Sequence, residues 1–137
     1  MRRSRLKQLA TVGVAFALAA QFGLASAREL AEQTSHERGV TVRVKPVDLA
    51  PAAKAWKFEV VLETHSVDLS DDLARAATLA VAGTQHAPIG WDGDPPGGHH
   101  RKGVLRFAPV APAPEALELR IQRPGEGAPR SFRWTLK

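Results

Sequence analysis

The feature that most limits what this chain can fold into is an alternation of apolar and polar side chains that returns along its length. After Pro51, Trp56, Phe58, Val60 and Leu62 share one phase while Lys57, Glu59, Glu63 and His65 share the other, and only Val61 breaks the pattern. Successive side chains of a strand point to opposite faces, so this spacing predicts a strand with one face in a core and the other in water. The same reading applies to Val40, Val42 and Val44 between Thr41, Arg43 and Lys45, and to Leu105 and Phe107 around Arg106. It applies again to Leu117, Leu119 and Ile121 around Glu118 and Arg120, and to Phe132, Trp134 and Leu136 around Arg133 and Thr135. Helical periodicity nowhere rivals it.

Two further strands are expected at residues 77–82 and 85–91, joined as a hairpin at Gly83-Thr84, with Pro88 forcing the second onto an edge or into a bulge. Between strands, Ser70-Asp71-Asp72-Leu73-Ala74-Arg75 reads as one capped helical turn. Its serine hydroxyl and its two aspartates satisfy free amides and meet the positive end of the helix dipole. Turn chemistry separates the other strands, in the run from Asp92 to Gly98, around Pro112, and over Pro124-Gly125-Glu126-Gly127. About seven strands at such intervals predict an all-β chain, an antiparallel β-sandwich of immunoglobulin-like type, with a small barrel as the alternative. The chain has no cysteine, so no disulfide bridges the sheets. Trp56, Trp91 and Trp134 with Phe58, Phe107 and Phe132 are expected to fill the space between them.

The N-terminus follows another logic. Arg2, Arg3, Arg5 and Lys7 precede the apolar run Leu9–Ala20 and the small-residue site Ala25-Ser26-Ala27, the pattern of a secretory signal peptide over residues 1–27 cut after Ala27. The apolar run is shorter than the roughly 20 residues that span a bilayer, so no membrane anchor is expected after cleavage. Of the 137 residues, 110 would remain, with residues 28–39 a flexible lead and residues 40–137 one domain. Removing the four head charges from 19 Lys and Arg leaves 15 against 14 Asp and Glu, so no basic surface remains to bind nucleic acid. The expected location is the periplasm or the exterior.

The residues that could carry chemistry are His65, in Thr64-His65-Ser66-Val67-Asp68-Leu69, and His99 and His100, in Gly97-Gly98-His99-His100-Arg101-Lys102-Gly103-Val104-Leu105. In these two runs the chain resembles exported bacterial proteins with THSVDL-like and GGHHRxGVLxF-like segments, a resemblance that brings no assigned activity. Histidine nitrogens suit Cu²⁺ or Zn²⁺, with Glu63, Asp92 or Asp94 as further donors, and the expected cofactor, if any, is one of these metals. Adjacent residues of an extended chain point opposite ways, so His99 and His100 would share a metal only across a kink at Gly97-Gly98. His36, in the lead, and His86, facing outward, are weaker candidates. Asp92-Gly93-Asp94 resembles the start of a calcium loop but is followed by no third carboxylate. Ser66, Ser70 and Ser131 lie in no nucleophile motif, and no glycine-rich phosphate loop opens a helix. The expected function is a non-enzymatic binding module of the cell envelope, meeting a protein or envelope component on a sheet face or through the loop at 92–102. The alternative is a small transition-metal binder using His65 with His99 or His100.

Overall fold

A computed structural model describes residues 30–137. The expected signal peptide, and the first two residues of the expected lead, lie outside the described residues. The chain forms strands β1 (Gln33–Glu37), β2 (Val40–Asp48) and β3 (Trp56–Thr64), one helical turn α1 (Leu73–Ala76), then β4 (Ala77–Val81), β5 (Thr84–His86), β6 (Gly90–Gly93), β7 (His100–Phe107), β8 (Ala116–Ile121) and β9 (Arg130–Thr135). Two antiparallel sheets result, one with strand order β1-β2-β3-β7-β6 and the other β5-β4-β8-β9. Among the described residues no helix is long and apolar enough to cross a membrane.

The apolar phases face one another as expected. Val40, Val42, Val44, Trp56, Phe58, Val60, Leu62, Leu105 and Phe107 of the first sheet form one buried cluster with Leu79, Leu117, Leu119, Ile121, Phe132 and Trp134 of the second. Phe58 lies at its centre, with ring centroids 5.7 Å from both Phe107 and Trp134. Val61, the break in the alternation, is buried on the outer face between its register neighbours Arg43 and Lys102.

Four expectations are corrected. Residues 33–37 belong to β1 rather than to a frayed lead, paired with β2 through the two-residue turn Arg38-Gly39, whose φ angles of 51° and 74° suit a hairpin. The polar strand is also stitched to the opposite sheet, where the Gln33 side-chain amide donates to the Arg133 carbonyl and accepts from the Arg133 amide, while Arg130 donates to the Ser35 and Glu37 carbonyls. The single strand expected over 85–91 is two strands in different sheets, β5 and β6. Pro88, with no amide to give to a ladder, lies where the chain changes sheets. The β4–β5 turn is Ala82-Gly83, one residue earlier than expected. Trp91 lies at the margin, packed against the core rather than inside it.

Candidate functional site

The register gives the sandwich two unlike ends. At one, β2 ends as β3 begins, Asp48 opposite Lys57 and Trp56 opposite Phe107; at the other, Val40 lies opposite Thr64 and Glu63 opposite His100. The expected histidines belong to the second end. His65 is an exposed bend residue just past β3, not on the strand's solvent face; His99 is exposed just before β7, and His100 opens β7. The Thr64 amide donates to the His99 carbonyl at 3.0 Å, extending the β3–β7 pairing so that residues 63–65 run beside 98–100. His100 Nε2 is 3.5 Å from Glu63, which already holds Arg43 through two bonds of 3.0 and 3.1 Å. The strand ends are thus neighbours, yet among the described residues no group of three or more His, Cys, Asp or Glu is arranged to hold a metal ion.

What the two histidine segments do share is a clamp. The Leu69 amide donates to the Gly98 carbonyl and the Gly97 amide to the Leu69 carbonyl, at 3.0 and 2.8 Å, and Asp68 Oδ1 accepts the Gly98 amide at 2.8 Å. Gly97 and Gly98 have φ of 118° and 73°, which only glycine adopts without strain. Behind them Arg101, 1% exposed, donates to the carbonyls of Leu69, Asp71 and Asp94, while its guanidinium sits 5.8 Å over the Trp91 ring. Asp94, the end of the calcium-like run, accepts the Lys102 amide, and Asp92 pairs with Arg106, so these acids brace a turn.

A chain of buried charges continues the clamp across both sheets. Asp71 is the buried partner of Arg123, joined by bonds of 2.9 and 3.0 Å, and is not the helix-start residue expected; Asp72 alone caps α1, accepting the Arg75 amide. Arg123 reaches Glu126, and Glu126 binds Arg130, which donates to the carbonyls of Ser35, Glu37 and Val40. The Arg130 hydrogen bonds, with charge attraction from Arg130 and Arg123, hold the Glu126 carboxyl below its ordinary range. Asp71, Arg101, Arg123 and Arg130 were not expected as buried charges. Arg101 and Arg130 could have been found by extending the alternation, since they occupy the inward phase of β7 and β9.

The opposite end is apolar and open. A groove of about 710 Å³ runs between the end of β2, with the following loop, and the segments flanking β8 and β9. Leu30, Pro46, Val47, Leu49, Trp56 and Leu136 form its walls, with Lys45, Asp48 and Lys137 at the margin. Trp56 is buried, fixed by its indole N–H on the Ala50 carbonyl at 3.1 Å, whereas Val47 is 49% exposed. Pro46, Pro51 and Pro114 offer no amide, so these walls present shape and apolar area more than backbone donors. The chain matches no protein-family model, no curated protein and no solved structure.

Proposed function

We propose that this protein is an exported, non-enzymatic binding module of the cell envelope, whose partner places an extended apolar segment in the groove at the β2–β3 end. The groove carries the reading. Its walls are apolar, and Leu30 lines it while packing against the core cluster. A binding role rather than catalysis is supported at the other end too, where Asp68, Asp71 and Asp94 are engaged in bonds that hold loops. The strand order supports an immunoglobulin-like arrangement: β2-β3-β7-β6 faces β9-β8-β4-β5, the hairpins β4–β5, β6–β7 and β8–β9 each lie within one sheet, and β1 is an added edge. Export rests on the sequence of residues 1–27, and mass spectrometry of envelope material should find a chain beginning at Arg28.

A second reading, Cu²⁺ or Zn²⁺ binding by His65 with His99 or His100, is favoured by the register that sets residues 63–65 beside 98–100. It needs a further donor.

The test of the groove is titration with the apolar dye 8-anilinonaphthalene-1-sulfonate. Saturable binding that falls at least tenfold in Val47→Glu, with the thermal melt unchanged, is the expected result. Equal binding by both forms would place the apolar site elsewhere.

A further inference from the structure

We infer that the extended apolar segment received by this groove is an acyl chain, carried by a single-chain amphiphile with a carboxylate head, a long-chain fatty acid. The inference rests on the groove being the binding site. A polypeptide segment brings an amide and a carbonyl with almost every residue, and each one buried without a partner costs more than a buried methylene gains. The groove has little to offer them. Pro46, Pro51 and Pro114 carry no amide, the Ala50 amide is given to Asp48 Oδ1, and the Leu136 amide to the Glu115 carbonyl. The Ala50 carbonyl already accepts the Ala53 amide and the Trp56 indole, at 3.0 and 3.1 Å. An acyl chain asks for none of these groups. It needs only apolar wall, which Leu30, Val47, Leu49, Trp56 and Leu136 supply around a volume of about 710 Å³, within the roughly 300–1,000 Å³ of small-molecule sites.

Charge selects the head. Lys45 and Lys137 bring two cationic side chains to the margin of the groove. Asp48, the acid in the lining, is engaged by the Ala50 amide and lies opposite the exposed Lys57 in the β2–β3 register. The margin therefore favours an anion with an apolar tail. A whole anionic bilayer is a poorer match, because the near balance of basic and acidic groups after Ala27 leaves no broad basic surface. On the outer face of the first sheet Arg43 and Lys102 are already set against Glu63 and Glu59. One carboxylate at the lysines, with one chain along the walls, fits both features of the groove at once.

The test is displacement of 8-anilinonaphthalene-1-sulfonate from residues 28–137 by octanoate, decanoate and laurate, each below its micelle concentration. Affinity should rise about fourfold with each added methylene, the gain expected when every added carbon is buried. Lys137→Glu, at an exposed position, should weaken decanoate at least fivefold and change decan-1-ol by less than twofold. Affinities that do not grow with chain length overturn the inference, as does a Lys137→Glu effect that is absent or equal for acid and alcohol. Displacement by an uncharged apolar hexapeptide but not by laurate also overturns it, and leaves the groove reading standing. Binding to phosphatidylglycerol vesicles without displacement by laurate overturns it too. Dye binding that Val47→Glu does not reduce removes the groove reading and this inference with it.

Discussion

The two ends of the sandwich handle exposed backbone and side chains in opposite ways. At the end that holds the histidines, the loops before α1 and before β7 are tied together through the carbonyls and amides of Leu69, Gly97 and Gly98, and three buried arginines supply further donors. At the end that holds Trp56, the chain closes with prolines and leaves apolar walls uncovered. Residues that look chemically rich in the sequence are consumed by structure, whereas residues that look inert form the open surface. A polar group gains most when its partners are fixed, because a buried donor left without one costs about 1–3 kcal/mol. Apolar walls need no such pairing and can wait for a ligand.

The largest effect that sharpens this contrast is expected in the core that floors the groove. Trp56→Ala or Phe58→Ala should destabilise the domain by about 3–5 kcal/mol, read from chemical denaturation, while the exposed neighbour Lys57→Ala should change it by less than about 0.5. Equal losses would break the assignment of faces. Next is the buried pair at the other end. Asp71→Ala leaves Arg123, only 7% exposed, without its carboxylate and should cost about 3 kcal/mol, whereas Asp72→Ala removes a one-turn cap and should cost about 1.

A smaller effect depends on pH. Because Glu126 has its carboxyl held below the ordinary range in the folded chain, its contribution is fully present above that range, about 4.3, and is lost as pH falls through the lower folded value. Glu126→Gln should therefore lower stability at pH 7 by about 1–3 kcal/mol and flatten its acid-side decline, which melts between pH 7 and pH 3 would show. The smallest effects belong to the histidines. His65→Ala and His99→Ala should each shift stability by less than about 0.5 kcal/mol. Calorimetry that finds saturable Cu²⁺ or Zn²⁺ binding at micromolar metal, lost in His65→Ala, would move function to the histidine end.

Much of the fold could be read from the period of two, because burial of one face fixes which residues point inward. The strands carrying Val42, Phe58, Leu119 and Phe132 needed nothing more. β1 escaped because its five residues are mostly polar, and what holds it is the pairing with β2 and the side-chain amide of Gln33, neither of which leaves a periodic trace. The split of 85–91 was half visible in Pro88, but which sheet each half joins is set by tertiary pairing. Arg101 and Arg130 lay in the inward phase at strand starts, just where apolar neighbours run out and loop carbonyls need donors, whereas Asp71 and Arg123 lie in loops and left no periodic sign. The groove had no local signature at all, since Leu30, Val47, Pro114 and Leu136 come together only when both sheets are in place.

The central claim is that the apolar end, not the histidine end, receives the partner. It is tested most directly by amide chemical-shift mapping on residues 28–137 as the apolar dye 8-anilinonaphthalene-1-sulfonate is added. The account predicts shifts at Val47, Asp48, Leu49 and Leu136 with residues 65–68 and 97–100 unmoved, and none of these shifts in Val47→Glu. Perturbation confined to His65, Gly98, His99 and His100 would contradict it.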